Sequence, residues 1–225
     1  MKKVYFLILV LLHAFCCSPA ATKWANFNIP VIPTSNSSIS RITKLVSLST
    51  DHFRSKQVGD WTDVNTWESS ADNISWFAAT LTPTDVANTV QIRNTHTVTV
   101  STNESMDQVI IENGGILVHT ANTLTVNDGP GDDVMVLNGG IFTLASNSNG
   151  PVFSPATATA NINTGGMLRL SATGLTNAGT GVHADNYIYQ HASVLEYTPN
   201  LAFASTGVTF FPNVDAVTIP IFRTT

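Results

Sequence analysis

The sequence predicts an all-β protein whose second half is a right-handed parallel β-helix. Three observations lead to this prediction: a low charge content, a bend that recurs along the chain, and four apolar columns in phase with that bend. Charged residues make up only 11% of the chain, where Thr, Ser, Asn and Ala are abundant instead. An average globular protein carries about 25% charged residues. Short polar side chains of this kind suit tight turns and the solvent face of strands.

The bend recurs at regular intervals from residue 88 onward. Its five anchor residues, spaced 19, 25, 26 and 27 positions apart, are Thr95, Gly114, Gly139, Gly165 and Ala192. The residues that precede them are Asn94, Asn113, Asn138, Thr164 and His191. Asn and Gly tolerate the left-handed backbone of a tight bend. Recurrence at this period is typical of solenoids.

Four columns of side chains keep the phase of the anchors. They lie five and three residues before each anchor, and three and five residues after it. The columns are Val90, Val109, Val134, Ala160 and Tyr187; Ile92, Ile111, Val136, Ile162 and Tyr189; Val98, Leu117, Phe142, Leu168 and Leu195; and Val100, His119, Leu144, Leu170 and Tyr197. Among these residues only His119 is clearly polar. A spacing of two indicates strands with one buried face, whereas a helix needs spacings of three and four.

Parallel stacking of these units, about 4.8 Å apart, also brings opposite charges together on the outside. It places Arg93 beside Glu112, and Arg169 beside Glu196. Exposed pairs contribute only ~0.2–1 kcal/mol each, so they support the register more than the stability. The main alternative fold is an antiparallel β-sandwich, because short Asn-Gly bends also connect hairpins.

The chain divides into four segments. Residues 1–21 read as a signal peptide, in which Lys2 and Lys3 precede an apolar run and small residues follow it. Residues 22–55 form an extended leader or linker, residues 56–87 a Trp-rich cap region, and residues 88–225 the stacked rungs. A solenoid needs a polar cap at each end, so we expect the rungs to be incomplete at the C-terminus.

Cysteine content and charge restrict the partners. Both cysteines, Cys16 and Cys17, fall within the signal segment, where a lipid anchor is an alternative to cleavage. A mature chain without disulfides is held together by its own core. Loss of Lys2 and Lys3 leaves 8 basic and 15 acidic residues, a formal charge of −7. This charge argues against binding to nucleic acids or acidic membranes, which attract clustered Lys and Arg.

Several segments carry a family resemblance. They are GDWTDVNTWESS at 59–70, VQIRNTHTVTV at 90–100, DQVIIENGG at 107–115 and LTVNDGPGDDV at 124–134. Together they resemble the N-terminal region of large secreted surface proteins of Bacteroidota, many of which are type IX secretion substrates. The resemblance implies an adhesin-like, β-helical region without an assigned chemistry. Glycans or other surface proteins are the partners that it implies.

Two clusters are candidate sites. Trp61, Trp67 and Trp76 lie close together among Asp and Asn residues. Exposed indoles could stack on sugars, and buried ones would close the open end of the first rung. The second cluster is Asp128, Asp132 and Asp133 in a Gly-rich loop. Three carboxylates there could hold Ca²⁺, which prefers several oxygen ligands; the alternative is a polar turn between rungs.

Catalytic groups are not evident. Between residues 94 and 222 there is no Lys and a single Arg, Arg169, which leaves little choice for the base of a polysaccharide lyase. A glycosidase needs two carboxylates across a cleft, and the sequence does not pair any two of them. We therefore predict a non-catalytic secreted or cell-surface protein, an adhesin stalk or glycan-contacting module without a cofactor.

The alternative function is a carbohydrate-active β-helix enzyme, a polysaccharide lyase or glycosidase, or a fragment of one. The two hypotheses predict different surfaces. A stalk should show outward columns of Thr, Asn and Ser, whereas an enzyme should show an acidic cleft with converging carboxylates.

Overall fold

The computed structural model describes residues 45–145, 150–171, 176–177, 186–198, 208–209 and 220–224. All of them belong to one compact unit that comprises residues 43–225. The predicted signal peptide and most of the predicted leader lie outside the described residues. Within the described part of the chain the structure consists of β-strands and one 3-10 turn at Val64–Thr66, without an α-helix.

The strands are short, and most of them contain three or four residues. In chain order they are β1 (His52–Ser55), β2 (Gly59–Asp60), β3 (Trp67–Ser70), β4 (Phe77–Ala78), β5 (Thr89–Ile92), β6 (Thr97–Val100), β7 (Glu104–Met106), β8 (Val109–Ile111), β9 (Ile116–His119), β10 (Leu124–Asn127), β11 (Val134–Val136), β12 (Ile141–Leu144), β13 (Val152–Ser154), β14 (Ala160–Ile162), β15 (Met167–Leu170), β16 (Thr176–Asn177), β17 (Tyr187–Tyr189), β18 (Val194–Tyr197), β19 (Val208–Thr209) and β20 (Ile221–Thr224).

Most strands belong to three sheets, which the chain enters in a fixed sequence. The first sheet has the order β17-β14-β11-β8-β5-β1-β3-β4, the second β2-β6-β9-β12-β15-β18-β20, and the third β13-β10-β7. From β5 to β15 the chain passes from the first sheet to the second and then to the third before it returns to the first. Strands β16 and β19 form a separate antiparallel pair.

The strands that carry the four columns pair in parallel, in the register that the columns predict. Val109 lies opposite Val90 on one side and Val134 on the other. Leu117 likewise lies between Val98 and Phe142. The predicted all-β class with parallel strands is thus confirmed, and the antiparallel sandwich does not fit these pairs. Antiparallel pairing joins β3 to β1 and to β4, which makes the first sheet mixed.

The inward columns form the core between the sheets. The aliphatic members, from Val90 to Leu195, are fully buried, and the three tyrosines are 3–4% exposed. Burial of one such side chain stabilises the fold by roughly 1.5–3 kcal/mol, an upper estimate because unfolded chains already bury some apolar surface. His119 occupies the same kind of position and is also fully buried.

The recurrent bend has one backbone geometry at all five anchors. Their φ angles lie between 60° at Ala192 and 76° at Gly114 and Gly139, in the left-handed region. The anchor N–H groups donate along the stack, as from Gly114 to Gly139 O at 3.0 Å. A Cβ on Gly139 would lie 2.6 Å from Asn113 Oδ1 of the preceding bend. The Asn-Gly pattern therefore reflects both the backbone conformation and the packing of one bend on the next.

The ordered fold begins before the Trp-rich cap region. Strand β1 lies within the range predicted for the leader, and it pairs in parallel with β5 and antiparallel with β3. Its inward residues are Phe53 and Ser55, both fully buried. A single inward apolar residue gives no alternation that a sequence pattern could detect, which explains why the predicted boundary at residue 55 falls at the end of this strand.

Candidate functional site

Two of the three tryptophans lie in the core at the N-terminal end. Trp61 and Trp67 are fully buried, and their rings meet edge to face with centroids 5.0 Å apart. The Trp61 indole N–H donates to Pro83 O at 3.0 Å, and the Trp67 indole N–H donates to Trp61 O at 2.8 Å. Neither ring has an exposed face for a sugar. The two indoles close the end of the core, which is the role of a cap, one of the two alternatives considered for them.

Trp76 differs from the other two because it is only half-buried. The Arg54 guanidinium carbon lies 4.1 Å from the centroid of its ring, and both Arg54 Nε and Nη2 lie 2.8 Å from Glu68 Oε2. A cation on an indole face contributes ~0.5–1 kcal/mol at an exposed site. Trp76 is therefore the one predicted aromatic contact residue that keeps exposed surface beside polar groups.

The loop between β3 and β4 is built around Asp72. Its carboxylate accepts hydrogen bonds from the Ser75 and Ile74 N–H groups and from the Ser70 and Ser75 hydroxyls. The Ser75 N–H, followed by the other donors, lowers the pKa of Asp72. Ile74, next to this carboxylate, is 81% exposed. The loop thus holds an apolar side chain in water two residues from Trp76.

The acidic loop between β10 and β11 does not gather its carboxylates around one point. Asp133 is 1% exposed and accepts from Gly129 N–H at 2.8 Å and from Thr159 N–H at 2.6 Å. Asp128 accepts from the Thr157 hydroxyl.

Asp132, the third predicted ligand, binds a different donor. Asp132 accepts from the Asn161 side-chain amide at 3.3 Å. Within the part of the chain that the structure describes, no group of three His, Cys, Asp or Glu residues could hold a metal ion. The three carboxylates of the predicted Ca²⁺ site, those of Asp128, Asp132 and Asp133, thus bind separate protein donors, and Ca²⁺ binding there stays a prediction.

A carboxyl pair does form one turn earlier. The Asp107 carboxyl lies near that of Asp133, and it accepts from Gln108 N–H at 2.7 Å. Burial raises the pKa of Asp107, and the charge of Asp133 adds to that rise. Gly129 packs directly on this carboxyl, since a Cβ there would lie 1.9 Å from Asp107 Oδ2. No pattern along the chain indicates this pair, because Asp107 and Asp133 are 26 positions apart.

The pair does not have the geometry of a glycosidase. Retaining enzymes separate their two carboxyl groups by about 5–5.5 Å and inverting enzymes by more, with the sugar between them. Asp107 and Asp133 are only 7% and 1% exposed, so a sugar could not enter between them. Their carboxylates accept hydrogen bonds from the backbone N–H groups of Gln108, Gly129 and Thr159, which is a structural arrangement.

The outward face of the second sheet is more apolar than a stalk of Thr, Asn and Ser columns. The column two residues after each anchor reads Thr97, Ile116, Ile141, Met167 and Val194, with each residue opposite the next, and Ile221 of β20 continues it. The expectation of polar outward columns is not met here. Alternation in the sequence reports which residues point inward, and it does not require the outward ones to be polar.

One outward charge column follows the prediction. Arg169 lies opposite Glu196 and forms an ion pair with it. Glu196 Oε1 also lies 3.3 Å from Arg223 Nε, so the buried carboxylate bridges two arginines. Arg93 and Glu112 do not form an ion pair, although both residues belong to the described part of the chain.

In comparisons with known proteins, the chain matches no family model, no curated protein and no solved structure. Among the described residues, no helix has the length and apolar character needed to cross a membrane.

Proposed function

We propose that the chain is a non-catalytic secreted or cell-surface protein, an adhesin stalk that forms a right-handed parallel β-helix. The observation that carries the proposal is the unbroken register of the inward columns, which continue through five successive strands of both large sheets. Strands that repeat one geometry at about 4.8 Å lengthen a fold without enclosing a cavity. Such a body suits the task of holding one point of a surface away from another.

Further features agree with this proposal. The predicted signal peptide at residues 1–21 directs the chain out of the cytoplasm, and the resemblance to secreted Bacteroidota surface proteins points to the same destination. The buried carboxyl pair Asp107–Asp133 serves the packing of turns. None of these features favours the alternative of a carbohydrate-active enzyme.

Glycan contact is the part of the proposal that depends on a single side chain. With Trp61 and Trp67 in the core, Trp76 is the one tryptophan among the described residues that offers an indole edge and face near polar groups, those of Arg54 and Glu68. The guanidinium is neutralised by the carboxylate, so this surface suits neutral sugars better than acidic ones.

A glycan array and a polysaccharide panel, both probed with residues 22–225, test the proposal. The stalk function predicts no release of reducing or unsaturated ends from any polysaccharide. Sustained release by the purified chain would support the enzyme alternative instead.

The same array tests glycan contact separately. If the chain binds a neutral glycan, Trp76→Ala should abolish binding while circular dichroism stays unchanged, and Ile74→Ala, two residues away, should keep it. Absence of binding across the array would reduce the function to that of a spacer.

A further inference from the structure

The carboxyl groups of Asp107 and Asp133 form a buried pair whose role is independent of the stalk function. Asp107 lies between β7 and β8, and Asp133 lies between β10 and β11, one turn further along the stack. Only 7% of Asp107 and 1% of Asp133 is exposed. Buried carboxylates need a partner of opposite charge or a proton, because the transfer of an isolated charge out of water is costly.

No basic side chain supplies the opposite charge. The sequence has no Lys or Arg between residues 94 and 168, and the ion pairs of the described residues all involve Glu68 or Glu196. The ionisable side chains on the elements around the pair are themselves carboxylates, those of Asp85, Glu104, Asp128 and Asp132. A proton on one member of the pair halves the buried charge without any further ligand.

The hydrogen bonds of the pair leave one oxygen for such a proton. Asp133 accepts from Gly129 N–H through Oδ1 at 2.8 Å and from Thr159 N–H through Oδ2 at 2.6 Å. Asp107 accepts from Gln108 N–H through Oδ1 at 2.7 Å. Among the described residues no donor reaches Asp107 Oδ2, which lies against Gly129, the residue whose N–H binds Asp133.

We propose that Asp107 and Asp133 share one proton under mildly acidic conditions, carried by Asp107 Oδ2 and donated to Asp133. The shared proton joins two successive turns, and Thr159 N–H extends the connection to a third turn. When the proton passes to solvent, two buried carboxylates of like charge face one another. Their repulsion then loosens the corner between the third sheet and the first, so the pair acts as a pH-sensitive latch of the stack.

The direction of the pH dependence follows from the surroundings of Asp107. Burial raises the pKa of Asp107, and the charge of Asp133 adds to that rise. An unfolded Asp releases its proton at about pH 3.9, so between that pH and the raised pKa the folded chain binds more protons than the unfolded chain. The contribution of the latch to stability is therefore complete below about pH 3.9 and is lost as the pH rises through the folded pKa.

Carboxyl ¹³C NMR of the purified chain, labelled at Asp Cγ and kept in EDTA, tests for the shared proton. The Asp107 signal, identified by its loss in Asp107→Asn, should titrate at least one pH unit above about 3.9. Asp133→Asn removes the neighbouring charge and should lower that midpoint. Asp128→Asn, at an exposed carboxylate of the same loop, is the matched control and should change it far less. A midpoint at or below about 3.9, or one that Asp133→Asn leaves unchanged, would overturn the proposal.

Urea titrations in the His119→Leu background test whether the proton fastens the stack, because the buried His119 would otherwise titrate in the same pH range. Asp107→Asn carries a neutral amide at every pH and can still donate to Asp133. Relative to this variant, the chain with Asp107 should unfold at higher urea concentration at pH 4.5 than at pH 7. An identical pH dependence with Asp107 and with Asn at this position would show that the pair is not a latch.

Discussion

The two ends of the stack differ in how their last strands and core residues are covered. At the N-terminal end two tryptophans are fully buried, the 3-10 turn covers β2, and β3 and β4 extend the first sheet in antiparallel fashion. At the other end β20 is exposed along its length, with Phe222 in an inward column. A stack of parallel strands has no intrinsic end, so each terminus needs either dedicated residues or another chain.

The composition of the core also changes between the two ends. Apart from His119 and Phe142, the inward positions in the middle of the stack are aliphatic, whereas Tyr187, Tyr189 and Tyr197 occupy them near β20. Within the described residues the Tyr187 and Tyr189 hydroxyls are buried without a hydrogen-bond partner. A buried hydroxyl without a partner costs about 1–3 kcal/mol. We infer that the last rungs are less stable than the first.

Truncation of one aromatic residue at each end should give the largest difference in the free energy of unfolding. Trp67→Ala removes a fully buried ring and should lower the free energy of unfolding by about 3–5 kcal/mol. Phe222→Ala should change it by less than about 1 kcal/mol because almost half of that side chain is already exposed. Urea titrations of both variants provide the measurement. Equal losses would show that the two ends are not different.

Much of this asymmetry was predictable, and some was not. The columns fixed the register because anchors and apolar residues recur in one phase. The strands of the third sheet do not recur in this phase, because β7, β10 and β13 follow loops of different length. Burial of Trp61 and Trp67 was one of two alternatives, since indoles with nearby Asp and Asn fit both a core and a sugar platform.

The outward face was the least predictable part. Ile116 and Ile141 point away from the core yet are aliphatic, and the sequence shows only that they alternate with inward residues. The Asp107–Asp133 pair depends on how far apart two turns pack, which the spacing of carboxylates along the chain does not reveal.

Two glycines sharpen the contrast between the stack and its loops. A Cβ on Gly140 would lie 2.5 Å from the backbone oxygen of Ile111, which cannot move without disturbing the ladder. Gly140→Ala should therefore cost about 1–3 kcal/mol. Gly131 has a φ of +100°, but a Cβ added to this residue would meet no other group within 4 Å. Gly131→Ala should cost only the backbone strain, about 1 kcal/mol. Thermal unfolding of the two variants in parallel will show whether the substitution in the stack lowers the stability more than the one in the loop.

His119 probes the middle of the stack, between the two ends. It is fully buried, its Nε2 lies 3.2 Å from Asn122 O, and its Nδ1 has no partner among the described residues. Burial lowers the pKa of His119. Since an unfolded histidine binds its proton at about pH 6.5, the unfolded state takes up more protons below that pH, and stability should fall as the pH decreases from about 6.5.

His119→Leu should remove this pH dependence and raise the stability by about 1 kcal/mol at pH 7, with a larger gain at pH 5. Denaturant titrations at the two pH values measure the difference, and His52→Leu, a variant at a part-exposed histidine, serves as control. A gain that does not grow on acidification would mean that His119 keeps its proton in the core.

Hydrogen–deuterium exchange of the native chain tests most directly whether one end is closed and the other exposed. Slow exchange is expected for the amides of β1 and β5, intermediate exchange for β12, and fast exchange for β18 and β20. Uniform protection from β1 to β20, or the slowest exchange in β20, would contradict the account.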